Sequence, residues 1–304
     1  MKRFIVRHPL AIIAAALLTI MGSARAHAVV SVTTCGTTCT SACQLANNLS
    51  CDSGVGVTLS NGASLDLNGH YISCTSVDPG NPCTAGVAMT GPGSVVFTSV
   101  APGLSTPSVG ILGNWFRGVD CAAQPNSRVT GVQFRGFFGD SSLGGAIFKC
   151  QTVDGNTVAA LPDPTQAGVP DPVSGVFVVW TRNCIVHTSI ATSDLIVSNH
   201  LDGCKTAVLR TGGSLALTID SNNINCRDLT PPLTPPMNCI DLSTTSRPTT
   251  VSNNIIEGDS RGLVIQAPTS GATFQNNTCK LGLRGCSTCV SQGRCVANGT
   301  TTSP

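Results

Sequence analysis

The feature that most constrains this chain is a six-residue phrase that recurs along its second half. In each copy an apolar residue, two others, an asparagine and one further residue lead to a second apolar residue, with the asparagines at Asn156, Asn199, Asn222, Asn254 and Asn277. Two of the four intervals are 23 residues long. The longer intervals, of 43 and 32 residues, contain the proline-rich inserts Leu161 to Pro172 and Thr230 to Pro236, which are typical of loops added to a repeat unit. A fixed period of this length predicts a solenoid.

A second short apolar stretch follows each phrase and completes the repeat. These stretches are residues 146–148, 176–178, 207–209, 240–242 and 263–265. Two strands per period describe one coil of a β-solenoid, whose coils bury their apolar faces only by stacking. We expect the five asparagines to form a structural ladder, because amides stacked at an inward-bending turn can bond to each other and to the backbone.

The composition favours an all-β fold. The chain contains a single glutamate and four lysines, while threonine, glycine, serine and valine are its most frequent residues, and this mixture opposes helices and favours short strands. A leucine-rich repeat is the alternative at a similar period, but its leucine positions hold valine, isoleucine, serine and threonine here. The sequence therefore predicts a right-handed parallel β-helix.

The N-terminal segment is predicted to be a signal peptide. Lys2, Arg3 and Arg7 precede an apolar run from Leu10 to Met21, and small residues then lead to an expected cleavage point after Ala26. Such a run of about a dozen residues is too short for a membrane anchor, so we expect no transmembrane anchor and a secreted or periplasmic protein. We assign residues 1–26 to the signal peptide, 27–51 to a cysteine-rich cap, 52–280 to the β-helix and 281–304 to a C-terminal cap or tail.

The net charge indicates which class of partner to expect, and the cysteines indicate the cellular compartment. Cleavage after Ala26 would leave 13 basic residues against 15 acidic ones, which gives no electrostatic footprint for nucleic acid. All 16 cysteines follow that point, and an even number of this size fits disulfides in an oxidising compartment.

The first predicted coil resembles a known family. The run Leu65-Asp66-Leu67-Asn68-Gly69-His70-Tyr71-Ile72, preceded by Leu49-Ser50-Cys51 and Gly56-Val57, resembles the first coil of secreted bacterial right-handed β-helix proteins of the pectate-lyase-like superfamily. With the asparagine phrases, the resemblance covers roughly residues 45 to 280. It implies the fold, but not one activity, because the superfamily contains lyases, hydrolases and surface proteins.

The positions of the cysteines suggest disulfide bridges between coils and within them. Cys204 and Cys226 follow equivalent asparagines by five and four residues, so stacking predicts a bridge between them, and Cys74 with Cys83 could close a short loop. Cysteine clusters before and after the coils could pin caps over the exposed strand edges: Cys35, Cys39, Cys43 and Cys51, and Cys279, Cys286, Cys289 and Cys295. Zinc at Cys286 and Cys289 is the alternative, but a second pair at zinc-ribbon spacing is lacking, so we expect no metal and no cofactor.

The outer side of the second-strand column is the predicted site. Strict alternation with Ala146, Val176, Ala207 and Ile240 pointing inward would turn Lys149, Arg210 and Asp241 outward in one stack. Arg182 and His187 follow the predicted strand at residues 176–178, with Trp180 beside them. The candidate glycan groove contains these six residues: Lys149, Trp180, Arg182, His187, Arg210 and Asp241. Such groups can stack on sugars and hydrogen-bond to them, although any solvated solenoid face exposes some of them.

Two functions remain open at the level of sequence. The first is binding or processing of an extracellular polysaccharide; no catalytic residue is predicted, because the polygalacturonase and pectate lyase motifs are missing. The second is a non-catalytic surface or adhesin-type protein that associates with a cell-surface component.

Overall fold

The chain folds into parallel strands that stack as successive coils. The computed structural model describes residues 29–76, 83–100, 109–136, 144–160, 183–188, 190, 193–204, 206–213, 215–226, 239–242, 248–258, 265–266, 272–281, 286–289 and 295–297. Within these ranges the secondary structure is strand and turn without helix. Consequently, none of the described segments forms a helix long and apolar enough to cross a membrane.

Three parallel sheets, here named A, B and C, form the walls of the solenoid. Sheet A contains β1 (Val30–Val32), β3 (Ala42–Leu45), β6 (Ser64–Asp66), β9 (Val95–Phe97), β12 (Arg128–Thr130), β15 (Thr152–Asp154), β18 (Asp194–Val197), β21 (Leu217–Asp220), β24 (Thr249–Ser252) and β27 (Ala272–Gln275). Sheet B contains β2 (Thr37–Cys39), β5 (Val55–Leu59), β8 (Cys83–Met89), β11 (Trp115–Asp120), β14 (Gly145–Phe148), β17 (Asn183–His187), β20 (Thr206–Arg210), β23 (Ile240–Asp241) and β26 (Ile265–Gln266). Sheet C contains β4 (Leu49–Cys51), β7 (Tyr71–Cys74), β10 (Gly110–Gly113), β13 (Gln133–Gly136), β16 (Thr157–Ala160), β19 (His200–Asp202), β22 (Asn223–Asn225), β25 (Ile255–Gly258) and β28 (Thr278–Leu281).

From β3 onward each coil visits the sheets in the order A, C, B, and each strand pairs with its equivalent in the next coil. The all-β, parallel β-helix class predicted from the sequence is thereby confirmed. Parallel pairing is present already between β1 and β3, where Val30 is aligned with Cys43. At the other end β29 (Cys286–Cys289) and β30 (Cys295–Ala297) form an antiparallel pair beside β28.

The asparagine phrases form the turns from sheet A to sheet C. The residue before each asparagine is left-handed, for example Ser198 (φ 57°) and Ser221 (φ 56°), and this bends the chain so that the amide points inward. The five asparagines are at most 8% exposed. Their Nδ2 atoms donate to the Oδ1 atom of the asparagine one coil on, at 2.9 to 3.0 Å. The same oxygens accept the backbone N–H of the preceding asparagine at 2.9 to 3.0 Å.

The ladder keeps its register across the proline-rich inserts. Its hydrogen bonds join residues 43 positions apart between Asn156 and Asn199, and 32 apart between Asn222 and Asn254. In chain order the inserts fall between a sheet C strand and the next sheet B strand, and their own residues lie outside the described ranges. At the copy without asparagine, Val132 N still donates to Asn156 Oδ1 at 2.9 Å.

Five cysteine pairs lie at disulfide distance in the described part of the chain. They are Cys35–Cys51, Cys39–Cys43, Cys74–Cys83, Cys121–Cys150 and Cys184–Cys204. The predicted pairing of Cys74 with Cys83 is present. The predicted pairing of Cys204 with Cys226 is wrong: sheet C aligns Asp202 with Asn225, so Cys226 stands opposite Gly203 and Cys204 bonds to Cys184 instead.

Candidate functional site: the outer face of sheet B

The strands of sheet B are bent, and the bend decides which side chains reach the surface. In β14 and β20 two consecutive residues belong to the core: Ala146 with Ile147, and Ala207 with Val208, all at most 1% exposed. The alternation of inward and outward side chains is therefore interrupted here. After this point, the positions that strict alternation would turn outward face inward, and the reverse. Beyond the bend one column of side chains lies outside the core cluster and is here called the outer column: Asp120, Phe148, Val186, Leu209 and Asp241. Asp120, Leu209 and Asp241 are partly exposed, whereas Phe148 and Val186 are 3% and 0% exposed.

A cluster of cations and aromatic rings lies at the N-terminal end of the outer column. The guanidinium carbon of Arg117 lies 3.8 Å from the ring centroid of Phe148 and 5.1 Å from that of Phe116. Lys149 Nζ lies 4.9 Å from the Phe148 centroid. All three contacts are within the range of cation–π attraction. We call Arg117, Asp120, Phe148 and Lys149 the cationic cluster.

Asp120 fixes the guanidinium of this cluster. Its Oδ2 atom accepts a hydrogen bond from Arg117 Nη1 at 2.5 Å, with the two side chains 24% and 15% exposed. Asp120 Oδ1 also accepts the backbone N–H of Ala122 at 2.8 Å. One carboxylate faces two cations here, so the cluster keeps an excess positive charge and a guanidinium whose orientation is already set.

The sequence-predicted groove residues separate into three groups. Lys149 and Asp241 are partly exposed on the outer side of sheet B. Trp180 and Arg182 lie outside the described residues, as does the stretch 176–178; the sheet B strand of that coil is β17. The expectation that His187 and Arg210 line a surface groove is not met, because both are 0% exposed.

His187 and Arg210 belong instead to a charged cluster inside the solenoid. They stand opposite each other in neighbouring coils and face inward because of the bend. His187 Nε2 lies 3.1 Å from Asp194 Oδ2, which also accepts the backbone N–H of Ile190 at 2.8 Å. Arg210 donates to Thr249 Oγ1 and, at 2.6 Å, to the carbonyl of Leu215.

Burial and charge act against each other in this interior cluster. Burial lowers the pKa of Arg210, and the attraction of the Asp194 carboxylate partly offsets that effect. Asp194 is itself 0% exposed. Within the described residues His187 Nδ1 has no hydrogen-bond partner. Because all three side chains are enclosed, the cluster can stabilise the coil but cannot meet a polymer.

The acidic residues of sheet A are engaged by protein partners. Asp154 forms an exposed ion pair with Arg128 at 2.9 Å. Hydrogen bonds from Ser252, and then from Ser221 and Asn253, lower the pKa of Asp220, while partial desolvation opposes them. Val197 separates the two carboxylates in the sheet register, so they do not form a catalytic pair.

Sequence reasoning missed Arg117, Asp120 and Phe148. The spacing of two stretches could have indicated this cluster. The stretch that ends at Asp120 precedes the stretch that ends at Phe148 by 28 residues, about one coil, and the two are aligned in sheet B.

No family model, no curated protein and no solved structure matches this chain.

Proposed function

We propose that this protein is an exported, pectate-lyase-like β-helix protein that binds an acidic polysaccharide along the outer face of sheet B. The observation that carries the proposal is the cationic cluster, in which Arg117 and Lys149 flank Phe148 on that face. A guanidinium held in place by an ion pair and a ring loses little conformational freedom on binding a carboxylate. The partner is an extracellular polysaccharide, and nucleic acid is not proposed because residues 27–304 carry 13 basic residues against 15 acidic ones.

Export is the part of the proposal that rests on the cysteines and on the N-terminal sequence. Disulfides persist in oxidising compartments, and five pairs at disulfide distance fit an extracellular protein. The predicted signal segment, residues 1–26, lies outside the described residues. A polymer outside the cell is a partner that such a protein could meet.

Loss of Arg117 should weaken glycan binding. We expect the purified protein to bind polygalacturonate and Arg117→Gln to raise the Kd roughly tenfold, since a charge-assisted hydrogen bond contributes about 1.5–3 kcal/mol. Binding should also weaken as salt is added, because exposed charges are screened. Isothermal titration at two salt concentrations measures both effects.

The matched control is Arg128→Gln, which removes an arginine from a comparable ion pair on sheet A. It should leave the Kd unchanged, and both variants should keep the thermal unfolding midpoint within a few degrees, because surface ion pairs contribute about 0–1 kcal/mol. A broad glycan array without any binding would contradict the proposal, and so would equal binding of a neutral dextran. Unsaturated products or new reducing ends would identify the bound polymer as a substrate of a lyase or a hydrolase.

A non-catalytic surface protein is the second candidate, and the length of the stack favours it. The ten strands of sheet A, spaced about 4.8 Å apart, give a rod of about 43 Å, with a continuous ladder to stiffen it. If the protein is such a spacer, the Arg117→Gln variant should bind the cell envelope as strongly as the wild type does. That result would favour the structural role over the glycan groove.

A further inference from the structure

Cys226 and Cys239 lie next to each other in space, with a hydrogen bond between their side chains. Cys226 directly follows β22 in sheet C and Cys239 directly precedes β23 in sheet B, and both are 2% exposed. The two residues converge on one carbonyl oxygen, that of Glu257, which Cys226 N reaches at 2.8 Å and Cys239 Sγ at 3.9 Å. Burial and a hydrogen bond with Cys226 hold the pKa of the Cys239 thiol well above its usual value.

Another bridge in the same fold joins the same two sheets. Cys74 ends the sheet C strand β7 and Cys83 begins the next sheet B strand β8, and these two are bonded with a Cα–Cα distance of 6.0 Å. Cys226 has the sheet C register of Cys74, whereas Cys239 is equivalent to Gly86, three residues beyond Cys83. The earlier bridge therefore shows that a disulfide can join the end of a sheet C strand to the next sheet B strand, although the register in sheet B differs.

The alternative pairing of these cysteines is excluded by the spacing of the coils. Cys184, Ala207 and Cys239 directly precede Ile185, Val208 and Ile240, which are aligned in three successive coils of sheet B. Cys184 and Cys239 are therefore two coils apart, about 9.6 Å, which is beyond the reach of a disulfide. A bond between Cys204 and Cys226 would therefore leave Cys184 and Cys239 without each other as partners.

We propose that Cys226 and Cys239 form a sixth disulfide, which clips sheet C to sheet B across residues 227–238. The oxidant is the disulfide of an exported thiol oxidoreductase, or oxidised glutathione. One thiolate attacks that disulfide and forms a mixed disulfide, and the second thiolate displaces the oxidant. The two electrons and two protons of the thiols pass to the two sulfurs of the oxidant, which leaves as thiols.

The disulfide between Cys226 and Cys239 forms during folding, before the surrounding coils bury the two cysteines. Thiol–disulfide exchange requires a thiolate and access to the oxidant, and the folded coil supplies neither, because the thiols are enclosed. Once formed, the bond is protected from reductants by the same burial. Oxidation thus belongs to folding and not to later regulation.

Tryptic peptide mapping tests the proposal, because the cleavage sites separate the cysteines. The full chain, refolded with oxidised and reduced glutathione, is alkylated in denaturant without reduction and then digested. Arg210, Arg227 and Arg261 release Cys226 in peptide 211–227 and Cys239 in peptide 228–261, while Cys184 and Cys204 share peptide 183–205. We expect peptide 211–227 linked to peptide 228–261.

Two results would overturn the proposal. One is a link between peptides 183–205 and 211–227, and the other is alkylation of both Cys226 and Cys239 in the folded, oxidised protein. Single variants sharpen the measurement: Cys226→Ser should expose one alkylatable thiol at Cys239, and Cys239→Ser should expose one at Cys226. The double variant should add no thiol relative to the wild type.

Discussion

Asn222→Ala is expected to lower the free energy of unfolding by about 2–5 kcal/mol, because it removes the middle of the asparagine ladder. The substitution deletes the oxygen that accepts Asn199 N and Asn199 Nδ2, both at 2.9 Å. It also deletes the amide that donates to the carbonyl of Ile196 at 2.9 Å and to Asn254 Oδ1 at 2.9 Å. At least one buried backbone N–H would lose its partner, and that loss costs more than a hydrogen bond contributes. Urea unfolding followed by circular dichroism measures the change.

The neighbouring residue supplies the control for this substitution. Asn223 is exposed, so Asn223→Ala should change the free energy of unfolding by less than about 0.5 kcal/mol. Asn222→Asp separates hydrogen bonding from volume, since it keeps an acceptor for Asn199 but loses the amide donor. It should destabilise the protein at neutral pH at least as much as alanine does. Equal stability of the Asn222 and Asn223 variants would show that the ladder does not hold the coils.

Asp194→Ala is expected to cost about 3–5 kcal/mol, because it leaves a buried charge without compensation. Asp194 offsets the burial of Arg210 electrostatically, bonds to His187 and accepts the N–H of Ile190. The matched control is Asp154→Ala, which breaks the exposed ion pair with Arg128 and should cost less than about 1 kcal/mol. Both changes are measured as free energies of urea unfolding.

A double variant distinguishes lost charge balance from lost volume. The next coil holds Leu217 opposite Asp194, and Leu242, which is 0% exposed, at the position after Asp241 that corresponds to Arg210. Asp194→Leu with Arg210→Leu therefore extends a side-chain pattern that the fold already accommodates. It should be more stable than Asp194→Ala, since apolar replacement of a buried ion pair is often close to neutral. A double variant less stable than Asp194→Ala would argue against this electrostatic explanation.

The stacking of the coils could be predicted because it depends on local signals with a fixed period. Each asparagine needs only a left-handed residue before it and apolar residues on either side, and these occur together at every turn, as at Ser221 and Asn222. The inserts did not hide the repeat, because they enter at a single place in the coil. The sequence therefore contained both the fold and the ladder.

The surface of sheet B could not be predicted by the same reasoning. Strict alternation assumes a straight strand, but Ala207 and Val208 both face the core, and one such step exchanges inside and outside for every later residue of the strand. Arg210 is consequently expected on the surface but lies in the interior. His187 is expected there because it follows the predicted strand 176–178, whereas it is itself the last residue of the sheet B strand β17 and is buried. Backbone bends of this kind arise from packing between sheets, which no single strand encodes.

The cysteine pairing failed for a related reason. Cys204 and Cys226 seemed equivalent because each follows a ladder asparagine closely, but they differ by one residue in register. One residue is enough to redirect a side chain in a strand. The bridge between Cys121 and Cys150, which joins two coils, was not predicted at all.

The most direct test of the whole account is an experimental crystal structure that resolves the side chains of Asn199 and Asn222. The stacked coils predict that Asn222 Oδ1 lies about 2.9 Å from both the backbone N and the Nδ2 of Asn199. A structure in which the Cα atoms of these two residues lie more than about 10 Å apart, roughly twice the strand spacing, would contradict it.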